Sequence, residues 1–411
     1  MKKMSFITVF ILALSLTNLA NAAHLKDMKA AFIRDGNLWI LVNQQEKQIT
    51  HSGKIYQPQW SHDGKWILYQ KEANTENKNE KIHHEIWVYN IETEEKKKIF
   101  HNGYAPQWAP HNNWVAFIHN QILNISNLTE FHNLALGVSS FQWLPTGQGF
   151  LLASPAYLKP DGWTCPILYK KQLPNHLSEA NVFGNVKEFF VVPQKLKIDN
   201  KYVMSNRVDF LSFSPSGKWL SLIISPTASL AMDSNMLCGL SSDGKSFEIV
   251  NEVVYEVGSP KWAPAKDILA YIGGGGRIVF GFRGKDLLLK EYAVSSLTPA
   301  NFAELNFTWV DDQLLITSRV EAKDWSDEFS EHPLPSLYSV TLNNEKQVKI
   351  TEPANGLGDY DPHYLKAIDK LIWYRGTSIN DHNRNLWIAD TDGSNGKILL
   401  KNIDEIKFFE S

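Results

Sequence analysis

Cysteine is scarce in this chain: Cys165 and Cys238 are the two in 411 residues. Two thiols do not make a disulfide scaffold, although one bridge between them is permitted in an oxidising compartment. Long apolar runs are missing beyond the first residues, so the body has no segment fit to cross a bilayer as a helix. An excess of either charge is missing too. With 41 Lys+Arg against 44 Asp+Glu, the formal net charge is −3, spread along the chain, and no basic field exists to hold nucleic acid. Catalytic signatures are equally thin. There is no G-x-S-x-G elbow, no H-E-x-x-H and no Cys/His set with zinc spacing, while the run Gly273–Gly276 lacks the order of a phosphate loop and leads into a strand.

What is present begins with MKKMSFITVFILALSLTNLANA, which has lysines near its start, an apolar stretch from Phe6 to Leu16 and a small-x-small site at Ala20-Asn21-Ala22. This is the grammar of a signal peptide covering residues 1–22. It predicts an extracytoplasmic chain, periplasmic or secreted, maturing at Ala23 with no transmembrane segment.

From there on one pattern recurs: an extended run with an aromatic anchor, a tight polar turn and a second apolar run. Clear copies are PQWSHDGKWILY from Pro58, PQWAPHNNWVAFI from Pro106, FLSFSPSGKWLSLII from Phe210 and PKWAPAKDILAYI from Pro260. Weaker copies start at Phe141, Asn306 and Asp361, and a half copy, IKFFES, closes the sequence. The anchors Trp60, Trp108, Trp143, Phe213, Trp262, Trp309, Tyr364 and Phe408 are spaced about 35 to 70 residues apart, a period that belongs to β-propellers. Residues 23–411 therefore read as a single all-β propeller domain.

Each repeat divides into four strands, here A to D. Third strands are expected at NLWILV (37–42), EIWVYN (85–90), QILNIS (121–126), ILYKKQ (167–172), NMLCGLS (235–241), RIVFGF (277–282), LYSVTL (337–342) and NLWIAD (385–390). The first repeat has strands B, C and D but no A, and the last segment supplies an A strand alone. Pairing one with the other removes two open sheet edges. The expectation is eight blades closed by the C-terminal strand, with seven as the alternative, and with the anchor aromatics wedged between blades.

The form P-x-W-S-x-D-G-K-x-I/L-x-Y/F, at Pro58–Tyr69 and echoed at Phe210–Ile224, resembles the WD-repeat-like propeller repeat of the TolB family. The resemblance spans the mature chain and implies a propeller without the additional α/β domain that TolB itself carries. The same repeat builds the propellers of prolyl oligopeptidase-type peptidases and of oligogalacturonate lyase, so it implies no single activity.

Strand alternation puts the B-to-C and D-to-A connections on one side of the disc, and the long excursions fall there. Their aromatic and charged residues nominate Tyr157, Trp163, Trp325, Phe329, Asp381 and His382 as ligand-binding. His83 and His84 are adjacent and would point to opposite sides of a strand, so they read as part of a solvated loop. The DWSDEF segment from Asp324 lacks the spacing and central glycine of a calcium loop. No cofactor or metal is expected. The leading reading is a non-enzymatic binding or scaffold module for a protein, peptide or glycan of the cell envelope. The alternative is a metal-dependent polysaccharide lyase or hydrolase on the same scaffold, with His363 and His382 as its candidate histidines.

Overall fold

The computed structural model describes residues 28–410 apart from 52, 74–81, 175, 256, 278–282, 291–296, 324–325, 327, 329–330 and 344–345. Residues 1–22, expected to be a signal peptide, lie outside the described residues. Eight antiparallel sheets follow one another around a ring, each a blade of the propeller.

Blade 1 combines Ala30–Arg34, Asn37–Val42 and Gln45–Gln48 with the far C-terminal strand Ile406–Phe408. Blade 2 runs from Ile55 to Phe100, blade 3 from Tyr104 to Leu136, blade 4 from Ser140 to Val191 and blade 5 from Arg207 to Val253. Blade 6 covers Lys261 to Leu289, blade 7 Phe302 to Lys349 and blade 8 Gly358 to Ile403. Seven blades have four strands; blade 6 has three among the described residues, Lys261–Trp262, Leu269–Gly273 and Asp286–Leu289. Here the expectation fails in detail. The strand paired with Leu269–Gly273 is Asp286–Leu289, whereas most of the expected RIVFGF strand lies outside the described residues. Both runs are short and apolar, and periodicity does not separate two such candidates.

Burial grades outward across each blade. Strand B is covered on both faces by neighbouring blades and reads as an unbroken apolar run, as in Gly149–Ala153 and Leu269–Gly273, where every residue is buried. Strand D, at the rim, is polar; three of the four residues of Gln45–Gln48 are exposed. The core is accordingly a series of layers between blades. Leu68, Ile86 and Val88 of blade 2 pack with Val115 and Phe117 of blade 3, and Leu151 and Leu168 of blade 4 pack with Leu222 and Met236 of blade 5. Both cysteines are free thiols, Cys238 buried in strand C of blade 5.

The anchor tryptophans wedge between blades as expected and add a repeated bond. Except in Trp143, whose indole has no partner among the described residues, the indole N–H reaches a carbonyl on the A strand of the preceding blade: Trp108 to Gln59 (3.2 Å), Trp262 to Ser212 (3.2 Å) and Trp309 to Lys261 (3.2 Å). Trp60 makes the same bond across the seam, to Lys407 (3.0 Å). Closure is thus built like any other blade junction. At the seam Ala30 pairs with Phe408, Ala31 with Lys407 and Phe32 with Ile406, so Phe408 lies in the sheet that contains Trp39.

Tight turns join the A and B strands. In blade 2, Asp63 Oδ1 accepts from Ser61 Oγ (2.6 Å) and from the Lys65 amide (3.0 Å), and Gly64 takes φ +64°, a conformation glycine adopts without steric cost.

Candidate ligand channel and loop face

The A strands surround the ring axis, and none of those in blades 2, 3, 5, 7 and 8 is a plain strand. Their pairing with strand B slips between Tyr56 and Gln59, Tyr104 and Gln107, Phe210 and Ser212, Glu304 and Asn306, and Tyr360 and His363. Such bulges bend a strand and re-aim a side chain. In three of them the bulged residue precedes proline and is left-handed: Gln57 (φ 54°), Ala105 (φ 47°) and Asp361 (φ 50°). Proline denies its predecessor the right-handed helical region, and the left-handed turn accommodates the extra residue. Non-glycine residues held there carry strain that tends to gather at functional sites.

Between blades 6, 7, 8, 1 and 2 the channel widens into a cavity of about 640 Å³. Gln59, Trp60, Lys261, Asn306, Asp361 and His363 come to it from A strands, joined by Lys407 and Phe408 of the closing strand. Tyr374 and Arg384 reach it from the second and third strands of blade 8. A second cavity of about 500 Å³ opens beside it toward the A-to-B turns and shares Lys261, His363 and Glu410.

Charge in the cavity is ordered. Asp361 accepts from Asn306 Nδ2 (2.8 Å) and pairs with Arg384 Nη1 (3.1 Å), whose guanidinium lies 4.2 Å from the centre of the Tyr374 ring. Glu410 pairs with His363, and Asp404 with His382 (2.9 Å). Glu405 accepts the amide of the bulged Gln57 (3.0 Å), and burial pushes its carboxyl above the ordinary range. Lys261 donates to the Phe307 carbonyl and, at 3.4 Å, to Asn306 Oδ1. Burial pulls its ammonium down to about 8, opposed by the field of Asp361 and reinforced by that of Lys407.

Two buried ion pairs stand behind this lining. Asp359 accepts from Arg375 Nε (2.6 Å) and Nη2 (2.8 Å) and from the Trp373 indole (2.8 Å). Glu304 meets Arg319 Nε (2.7 Å), Thr317 Oγ1 (2.6 Å) and Thr298 Oγ1 (3.1 Å). Both are enclosed in the blades and serve packing.

Of the residues nominated from sequence, Tyr157 and Trp163 lie on a small hairpin, Leu158–Lys159 paired with Gly162–Trp163, inserted between strands B and C of blade 4. Tyr157 is 52% exposed and its hydroxyl reaches Gln121 of blade 3 (3.2 Å); the carbonyl of Trp163 accepts from Gln194 (2.6 Å). A second inserted hairpin, Lys195–Ile198 with Lys201–Met204, emerges on the same face between blades 4 and 5. Asp381 and His382 sit on the corresponding loop of blade 8, across the ring from Tyr157 and Trp163. Asp381 accepts from the amides of Thr377 (3.0 Å) and Asn383 (2.9 Å), which shapes its own loop. His382 is 78% exposed and, through Asp404, touches the rim of the cavity. Trp325 and Phe329 lie outside the described residues. The two candidate histidines face different acids, and among the described residues no three His, Cys, Asp or Glu side chains gather as a metal set.

Sequence reasoning missed Lys261, Arg384 and Lys407. They are scattered over the chain, and a faint signal existed only in the residue-proline pairs Gln57-Pro58, Ala105-Pro106 and Asp361-Pro362 at equivalent places.

No protein-family model matches the chain, and no curated protein matches it in sequence. Solved structures do. A eukaryotic initiation factor superimposes with a TM-score of 0.58 at 12% identity, over 92% of this chain and 87% of that one. The chain shares a fold, and no more, with such neighbours. The dihydro-heme d1 dehydrogenase NirN, solved in complex with DHE, gives 0.56 at 12% identity, covering 93% and 75%. TolB from Acinetobacter baumannii is also a neighbour, at 0.39 and 13% identity over 94% and 67%.

Proposed function

We propose that this chain is an exported, non-enzymatic binding module that takes a protein, peptide or envelope glycan on the face where its B-to-C and D-to-A loops emerge. The observation that carries the reading is the pair of hairpins inserted on that face, Leu158–Trp163 and Lys195–Met204, which belong to no blade. Most A-to-B connections on the other face are tight turns. Long insertions on one face of a rigid repeat scaffold are where such proteins contact their ligands. Tyr157 and Trp163 offer rigid amphipathic rings for the contact on one side of the axis, and His382, its loop held by Asp381, faces the ligand from the other; the reading also assigns Trp325 and Phe329 to the contact.

The test is capture of partners from an envelope extract by wild type, Tyr157→Ala and Trp163→Ala. The reading expects a partner retained by wild type and lost at least tenfold in the variants. Equal recovery of every partner would refute the face. Export is checked separately, by the mass of the mature N-terminus after expression with residues 1–22 in place.

A further inference from the structure

We infer that the channel cavity is a second, independent binding site, built for one carboxylate of a small ligand, with Lys261, Lys407 and Arg384 as the groups that hold it. Its volume of about 640 Å³ falls within the range of about 300–1,000 Å³ typical of small-molecule sites.

The argument rests on which charges are already answered. Every carboxylate on the wall has a donor: Asp361 has Asn306 and Arg384, Glu410 has His363, Asp404 has His382, and Glu405 has the Gln57 amide. The cations are less well served. Lys261 has carbonyl and amide oxygens for partners and no carboxylate within ion-pair distance, and Lys407 forms no ion pair among the described residues. Arg384 is nine-tenths buried, donates from Nη1 alone, and its Nε is enclosed without a partner. Buried charges in folded proteins are paired with opposite charge, so a cavity whose enclosed Lys261 meets only neutral oxygens, beside an exposed Lys407 that has no ion pair among the described residues, is short of an anion.

The number of open charges limits the ligand. Asp361 and Glu405 stay on the wall, so a phosphate dianion would face them at close range, whereas a single carboxylate satisfies the open donors with less repulsion. Burial of Lys261 acts in the same direction, because an anion beside a desolvated ammonium returns the stabilisation that water supplied. Trp60, Ile372, Tyr374 and Phe408 provide an apolar wall for the carbon skeleton.

The experiment is pulsed acylation of the intact folded chain with acetic anhydride, with labelling of each lysine read by peptide mass. It is run with acetate, benzoate, succinate or glutamate, with the matching amides, and with sulfate, all at constant ionic strength. At least one carboxylate should slow acylation of Lys261 fivefold or more while its amide does not, and Lys407→Ala should abolish that protection with the melting temperature unchanged. Arg384→Gln should weaken it as well; Lys407→Ala, at an exposed position, keeps the test valid if Arg384→Gln misfolds. No carboxylate outperforming its amide would overturn the inference, as would equal protection by sulfate. The outcome is separable from the face reading: Trp163→Ala leaves the protection intact, and Lys261→Met leaves partner capture intact.

Discussion

Removing residues 406–411 should open the ring. The deletion takes away the pairing of Ile406–Phe408 with Ala30–Phe32, the bond from the Trp60 indole to the Lys407 carbonyl and the bond from the Phe409 amide to the Lys29 carbonyl (3.1 Å). It also loses the burial of Ile406, which is 9% exposed, and strips from Trp60 the Phe409 ring, whose centroid lies 5.9 Å away. At about 1 kcal/mol for each hydrogen bond and about 2 kcal/mol for the isoleucine, the loss is roughly 6 kcal/mol. Domains have a margin of only about 5–15 kcal/mol, so the loss is a large share of the total. Urea unfolding followed by tryptophan fluorescence should show either no cooperative transition or a midpoint lowered by about 1 M or more. A synthetic peptide of residues 403–411 added to the truncated chain should restore the midpoint in a saturable manner. An unchanged midpoint in the truncated chain, or a peptide with no effect, would refute the view that this strand closes the ring.

Trp309→Phe removes an indole that bonds the Lys261 carbonyl, whereas Trp143→Phe removes one whose Nε1 has no partner; both are buried. Chemical denaturation should find the first about 1 kcal/mol more costly than the second. Glu304→Gln strands Arg319, which is 2% exposed, and should cost about 3–5 kcal/mol in the same assay. The pH response of Lys261 has a definite sign. Its ammonium is pulled from 10.5 to about 8 in the fold, so between those values the unfolded chain binds more protons, and this residue's contribution to stability grows as pH rises through that window. Melting temperatures from pH 7.5 to 10 should therefore rise more steeply, or fall less, in wild type than in Lys261→Met. Parallel curves would contradict the assignment.

How much of this could be read in the sequence depended on whether a feature is local. Strand order, the eight blades and the closing strand follow from alternation and from anchors such as Trp60 and Trp262, each carried within a dozen consecutive residues. The indole bonds were not legible, because the acceptor belongs to another repeat. The third strand of blade 6 was misplaced because RIVFGF and DLLL are both short apolar runs with no period to choose between them. The cavity was invisible for a third reason. Lys261, Arg384 and Lys407 come from three blades, and it is the bulges at Asp361 and its counterparts, set by backbone geometry, that direct the wall around them. On the loop face, Tyr157 and Trp163 were rightly placed on a B-to-C excursion, yet nothing in the sequence said that His382 would reach Asp404 at the rim of the cavity.

Because Ala30–Phe32, paired with Trp39–Leu41 on one edge, finds the partner for its other edge in Ile406–Phe408, the earliest sheet to emerge during synthesis is the last to be completed. The intervening blades can assemble in turn as they leave the ribosome, but the opening one must wait with an exposed edge until nearly the whole polypeptide is available. Such long-range pairing is slow and leaves sticky edges unprotected. A holdase that shields residues 30–34 until translation ends would therefore raise the yield of native protein more than one that shields any later strand.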